Sequence, residues 1–410
     1  MWESVFDSFL SRLIVLGQLH VTLPDGRVKT YGTQSAPVAK VAITDPSLMK
    51  ALCLRPELAL GEGYMDGTLV PENDDLEALM VVLIRNYQHG ELPGWVKAVK
   101  RMRFLLRGWL QRNSPRSSKS NVAHHYDISD ELYRLFLDED MQYSCAYFSD
   151  PQMSLEEAQS AKKAHIARKL CIEPGMRVLD IGCGWGGMAL TLARDHGAHV
   201  TGVTLSENQL ATARARAEAA GLADQTDFRL LDYRLLEERF DRIVSVGMLE
   251  HVGAPHYGEY FAKVSELLTD DGVALIHTIG RTEVPQGQSE WINKYIFPGG
   301  YVPSLSMLAP PIEAAQLWTT DLEVLRLHYA LTLRHWSHRF NARLDEVRAR
   351  YDERFVRMWN FYLTACYLAF EEQNQAVFQF QLAKTVDAVP LTRDYLHPKD
   401  EAAQHRQAAE

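Results

Sequence analysis

Cysteine is scarce and unpatterned in this 410-residue chain. Its five cysteines (Cys53, Cys145, Cys171, Cys183, Cys366) are odd in number and widely spaced. That favours a reduced, cytosolic protein over a disulfide framework. No CxxC pair or His/Cys cluster has zinc-site spacing, so no metal is expected. No apolar run approaches the roughly 20 residues that a membrane span requires. Any work on lipid must then be done from the membrane surface. The start, "MWESVFDSFL", lacks a basic segment followed by an apolar one, so no signal peptide is expected. Positive charge is also in deficit: 43 Lys and Arg stand against 53 Asp and Glu, a net charge of −10. An acidic chain lacks the basic face that phosphates need, so nucleic acid is not an expected partner. What remains is an ordinary soluble composition, long enough for a large core and two domains.

One stretch reverses the charge deficit. Residues 95–120, "WVKAVKRMRFLLRGWLQRNSPRSSKS", carry eight Lys and Arg and no acid. Trp95, Phe104, Leu105, Leu106, Trp109 and Leu110 interleave with them. A basic helix with such anchors can lie in an anionic membrane interface. It can equally be a solvated helix packed on its own domain. The stretch runs into "NSPRSSKSN", which reads as a linker and places a domain boundary near residue 118. Residues 1–117 have short strand-like runs, a Pro24-Asp25-Gly26 turn and a helical apolar segment, as expected of a small α+β accessory domain. Residues 118–395 form the larger unit, and 396–410 read as a polar tail.

The larger unit alternates strand and helix. "RVLDIG", "HVTGVTL", "FRLLDY", "DRIVSVGM" and "VALIHTIG" read as buried strands with 10–15-residue helices between the first of them. That pattern predicts a parallel α/β sheet. From about Trp291 the chain reads as irregular and then helical through "YLAF". The first strand runs into Asp180-Ile-Gly182-Cys-Gly184-Trp-Gly186-Gly187 and a helix. Glycines at such a turn let the backbone approach a ligand. The spacing is GxGxGG rather than the dinucleotide GxGxxG, and Asp180 precedes the first glycine by two. An acid there can receive an ammonium or hydroxyls, which favours S-adenosylmethionine. The second strand ends at Thr204, followed by Ser206 and Gln209. Gln209 reads either as a cofactor contact or as the far end of a capping box begun by Ser206. Glu250 and His251 follow one buried strand, and His277 lies inside another. Buried acids and imidazoles without partners are costly, and the carboxyl ends of parallel strands form a ligand crevice.

Taken together, "HHYDISDELYRLFLD", "MQYSCAYF", "MRVLDIGCGWGG", "GVTLSENQ", "FDRIVSVGMLEHVG", "HTIG", "WINKYIFPGG", "HYALTLRHW" and "YLTAC" resemble the cyclopropane-fatty-acyl-phospholipid synthase family, over about residues 120–390. The first 115 residues, with "LGEGYMDG", look like the N-terminal lipid-binding domain of its longer bacterial members. The resemblance implies a Rossmann-like class I methyltransferase fold and S-adenosylmethionine as cofactor. Cofactor contacts would fall on Tyr143, Ser144, Asp180, Gly182, Gly184, Gly186, Thr204, Gln209 and Tyr233. It implies a bicarbonate ion held by Cys145, Glu250, His277, Ile279 and Tyr329. Cys366 matches a cysteine sometimes assigned to the active site, though "FYLTACYLAF" makes it read as a small core residue. The expected reaction adds a methylene group to the cis double bond of unsaturated phospholipid acyl chains. The expected setting is the cytoplasmic side of an anionic inner membrane, with a homodimer as the common state. A methyl-branched or exomethylene product is the competing outcome. No base adjoins Cys145 in sequence, and alkene methylation needs no covalent intermediate. Cys145 is therefore expected to form a wall of the anion pocket.

Overall fold

The computed structural model describes residues 1–33, 35–89 and 130–396, with Gly94 and Met102 singly. The basic stretch at 95–120, the expected boundary near 118 and the tail from 397 lie outside the described residues. So do the first six residues of the "HHYDIS" motif.

The N-terminal unit comprises α1 (Trp2–Leu13), β1 (Gln18–Thr22), β2 (Val28–Gly32), β3 (Val38–Ile43), α2 (Pro46–Leu54), α3 (Pro56–Met65), β4 (Leu69–Pro71) and α4 (Leu76–His89). Its sheet has the order β2-β1-β3-β4. The Pro24-Asp25-Gly26 turn closes the β1–β2 hairpin, with Gly26 at φ 84° where other residues are strained. Asp45 caps α2 by accepting the Ser47 N–H, and Pro46 fits the first helical turn. Alternate strand residues and one face of α1 point inward. They leave an apolar pocket of about 740 Å³, open mouth included, lined by Phe6, Leu10, Val21, Ile43, Leu79 and further apolar side chains. Its polar lining groups are Glu57 and Tyr87, joined by a Tyr87 O–H bond to Glu57 Oε1 at 3.0 Å.

The larger unit comprises α5 (Asp130–Phe136), α6 (Leu155–Lys169), β5 (Arg177–Ile181), α7 (Gly187–His196), β6 (His199–Thr204), α8 (Glu207–Ala219), β7 (Thr226–Leu230), β8 (Phe240–Val246), α9 (Tyr257–Leu267), β9 (Leu268–Arg281), α10 (Glu290–Tyr295), α11 (Leu305–Ala314), β10 (Trp318–Leu325), α12 (His328–Ala342), α13 (Leu344–Arg348), α14 (Glu353–Glu371) and β11 (Gln375–Ala383). The sheet order is β10-β11-β9-β8-β5-β6-β7. β5 to β9 run parallel, and β11 opposes both of its neighbours. This is the class I methyltransferase arrangement, with a switch of strand order between β5 and β8 where a crevice forms.

β10 corrects the expectation of irregular chain after Trp291, and β11 follows the expected helical run as a further strand the sequence did not announce. β11, "QAVFQFQLA", is buried on both faces, so it lacks the alternation that marks a strand. β10 is an edge strand with mixed exposure. The two units also share a core rather than hanging on a linker. Trp291 on α10 is 1 % exposed, and its indole N–H donates to Met65 Sδ at 3.3 Å. Ion pairs flank this contact: Arg55–Glu290, Lys294–Glu62, Arg334–Glu77 and Arg85–Glu372.

Candidate active site

The carboxyl ends of β5, β6 and β8 and the turn after β7 surround a cleft of about 1250 Å³, open mouth included. Tyr143, Ser144, Asp180, Gly182, Gly184, Thr204, Gln209 and Tyr233 all line it. Gly186 does not. It sits at φ 84° just before α7, where a Cβ would come within 2.9 Å of Phe228 Cζ. Its job is to let α7 pack on the sheet. The close approach at the cleft belongs to Gly187, whose Cβ would lie 2.3 Å from Gln142 Nε2 and 2.4 Å from Asp140 Oδ2. The 140–144 loop therefore rests on the glycine turn.

Asp180 is buried, and its Oδ2 has no hydrogen-bond partner among the described residues. Burial pushes its carboxyl up to about 7, opposed by the positive charge of Lys162. Thr204 donates its hydroxyl to Gln209 Oε1 at 2.9 Å. Ser206 caps α8 by accepting the Gln209 N–H, while the Ser206 N–H goes to Thr204 Oγ1. So Ser206 is the cap, and the Gln209 side chain is held to the cleft wall instead of closing a capping box. Tyr143 stacks on Trp336 at 5.2 Å and shares a 2.9 Å hydroxyl contact with Tyr362. Tyr233 packs edge-on against Tyr260, and Arg234 lies over its ring.

A second group lies behind this cleft. Glu250, in the turn after β8, is buried, with 8 % of its surface exposed. Its Oε1 accepts the Ile279 N–H at 2.6 Å, and its Oε2 is buried with no hydrogen-bond partner among the described residues. Burial pushes the carboxyl up to about 7. The Ile279 N–H is thus already engaged: it aims Glu250 and is not a spare donor for an anion, as the sequence reading had it. His277 lies two residues before Ile279 on β9, on the same face. Burial and the nearby lysines pull it down to about 3, so it is neutral at physiological pH. Gln379 Nε2, across the strand pair, lies 3.1 Å from His277 Nδ1. With Gln379 donating, the ring carries its proton on Nε2.

Tyr329 and Cys145 approach through α12. Tyr329 packs edge-on against Trp336, the ring on which Tyr143 stacks. Cys145 has no exposed surface and precedes Ala146, whose N–H donates to Thr332 Oγ1 at 3.0 Å. Burial raises the Cys145 thiol well above its ordinary range, the opposite of what a nucleophile needs. Cys145→Ser is therefore expected to keep kcat within roughly tenfold of wild type. Complete loss in a folded, cofactor-binding variant would restore a covalent role. Cys366 lies one turn after Tyr362 on α14, and burial pushes it up to about 12.

His251, singled out in the sequence, also lines the cleft; the sequence reading missed Trp185 and Asp232, which line it too, and Lys162 beneath it. A signal existed for Lys162. Leu155, Ala158, Lys162, His165, Ile166 and Lys169 fall on one helical stripe, and all are buried. A helix whose inward stripe carries lysines marks buried charge.

Residues 113–380 match the family described as mycolic acid cyclopropane synthetase. The chain belongs to that family. Residues 5–89 match a separate family described only as a domain of unknown function. The chain is 39 % identical over 353 residues to the cyclopropane-fatty-acyl-phospholipid synthase of Escherichia coli K12, covering 86 % of this chain and 90 % of that protein. It is 38 % identical over 362 residues to a probable fatty acid methyltransferase of Pseudomonas putida, covering 86 % and 89 %. The solved structure of mycolic acid cyclopropane synthase CmaA1 with SAH and CTAB superposes with a TM-score of 0.61 at 35 % identity, covering 64 % of this chain and 97 % of that one. As a family member, the protein is an S-adenosylmethionine-dependent methyltransferase. The cleft suits that cofactor: the buried Asp180 carboxyl, the glycine cradle and the Tyr233 ring all line it.

Proposed function

We propose that this enzyme adds the cofactor's methyl carbon, as a methylene bridge, across the cis double bond of unsaturated acyl chains in membrane phospholipids. The cofactor supplies an electrophilic methyl group to an alkene, which is itself a weak nucleophile. A bicarbonate ion is the base that takes a proton from the new methyl group so that the ring can close. Glu250 carries this reading. Its Oε2 is buried and unbonded among the described residues while Oε1 is fixed by the Ile279 N–H, an arrangement suited to accepting the hydroxyl of a small acid anion. His277, neutral and braced by Gln379, offers a donor to the anion's oxygens, with the Tyr329 hydroxyl as a second. The aromatic wall of Tyr143, Trp336, Tyr329 and Phe370 keeps water from a cationic centre and can stabilise its charge.

The apolar pocket in residues 5–89 supports a lipid-binding role for the N-terminal unit. We propose a peripheral location on the cytoplasmic face of the inner membrane; no described helix is long and apolar enough to cross a membrane. Incubation with methyl-labelled cofactor and vesicles of cis-unsaturated phospholipid is expected to yield labelled cyclopropane acyl chains, identified by mass and NMR. Unlabelled lipid from folded, cofactor-binding enzyme would sink the proposal. Labelled but methyl-branched or exomethylene chains would place the enzyme instead with fatty acid methyltransferases such as the Pseudomonas relative.

A further inference from the structure

Lysine is almost never fully buried unless it is paired. Lys162, on α6, has no exposed surface. Its ammonium donates to Gln142 Oε1 at 2.7 Å and to Ser144 Oγ at 2.8 Å. Both acceptors are neutral, and both belong to residues that line the cofactor cleft. Gln159, on the same face of α6, adds a 2.9 Å bond from Nε2 to the Ser144 carbonyl. α6 thus fixes the wall that bears Gln142, Tyr143 and Ser144. A neutral donor could do that much, and a buried cation is costly without a compensating field.

The neighbours of Lys162 indicate what its charge does. Asp138, Asp140 and Lys163 face it from the loop and from its own helix, and Cys145 lies beside it. Asp180 on β5 and His277 on β9 both feel its charge. Asp180 has Cys183 as its other titratable neighbour. Lys162 is the cation that opposes the effect of burial on Asp180. Burial draws the Lys162 ammonium down to about 8, which leaves it charged at neutral pH.

We propose that Lys162 is a positioning residue for S-adenosylmethionine: its hydrogen bonds hold the Gln142–Ser144 wall of the cleft, and it sets its buried positive charge behind the wall that also bears Asp180. It acts through Ser144, Gln142 and Asp180. Without the ammonium, burial alone would favour a protonated Asp180, which has lost its charge for an ammonium or hydroxyl of the ligand.

Calorimetric binding of S-adenosylhomocysteine to the full-length protein, between about pH 6 and 9, tests this on wild type, Lys162→Met and Lys162→Gln. The Met variant is expected to bind about ten- to a hundredfold more weakly at neutral pH. Its affinity should recover as pH rises, with the midpoint moved up by about one pH unit or more. The Gln variant keeps a neutral donor near Ser144. It should show the same moved midpoint with a smaller loss at high pH. Burial pulls His251 down to about 4, outside this window, and the ligand's own amine titrates alike in all three proteins, so the difference between profiles is the readout. A role in packing alone would lower affinity at every pH and leave the midpoint at its wild-type place; that result overturns the proposal, as does wild-type affinity in the variants. If the Met protein does not fold, the midpoint of the Gln variant decides.

Discussion

Glu250→Gln is expected to lower kcat by about 10²–10⁴-fold while cofactor affinity and fold stay intact, as for loss of a group that orders proton transfer. The substitution is nearly isosteric. The carboxamide oxygen can still accept the Ile279 N–H, which the wild-type Oε1 holds at 2.6 Å. What is lost is the second acceptor, the buried Oε2 that has no partner among the described residues. An amide presents N–H there, which repels the hydroxyl that an acid anion would offer. Turnover on labelled lipid, with parallel calorimetry of cofactor binding, separates the two effects. Wild-type kcat, or loss of cofactor binding along with activity, would remove Glu250 from the proposed base site.

The same carboxyl gives a pH signature with a defined sign. Burial holds Glu250 at about 7, above the ordinary value of 4.5. Its charged form is the one that accepts the anion's hydroxyl, so wild-type kcat should fall as pH drops through about 7. Stability runs the other way. An acid raised in the folded state favours folding fully below its unfolded value. That contribution is lost as pH climbs from about 4.5 to about 7. Above pH 7 the buried charge costs up to about 3 kcal/mol. Glu250→Gln should therefore melt at or above the wild-type temperature at alkaline pH despite its poor turnover.

The contrast between Glu250 and Ile279 shows what a sequence can carry. An acid after a buried strand is conspicuous because burial of charge needs a reason. The engagement of the Ile279 N–H is invisible, because a backbone donor leaves no trace in residue type. Glycine spacing was equally ambiguous. GxGxGG marks a tight turn, but it does not say that Gly187 presses on the 140–142 loop while Gly186 packs on Phe228. The parallel strands were legible from their apolar runs between helices. β11 was not, since Gln379 and Gln381 sit buried within it, each hydrogen-bonded inside the protein to His277 or to the Lys169 carbonyl. Polar residues that find partners across a sheet look, in one dimension, like breaks in a strand.

Joining of the two units was the least legible feature, and it supports the second large prediction. Gly61 on α3 and Trp291 on α10 are far apart in sequence, yet a Cβ at Gly61 would lie 2.3 Å from the Trp291 ring. Real Cβ contacts never come that close, and the indole is fully buried, so it cannot swing into solvent. Gly61→Ala must push the units apart or displace the indole, which also loses the Met65 contact. A cost of about 1–3 kcal/mol is expected from overpacking, seen as a lower melting temperature. Trp291→Ala relieves the crowding but leaves a cavity, and alone should cost about 3–5 kcal/mol. The double variant is the informative one. If the clash is real, Gly61→Ala should cost almost nothing in the Trp291→Ala background, giving a coupling of about 1–3 kcal/mol. The ion pairs Arg55–Glu290 and Lys294–Glu62 are at least partly exposed and should not rescue the single variant. Additive costs would mean that the N-terminal unit does not dock on α10 through Gly61. A coupled result would explain why short, unlike surfaces of two folds stay in register: the missing side chain at Gly61 is the socket for Trp291.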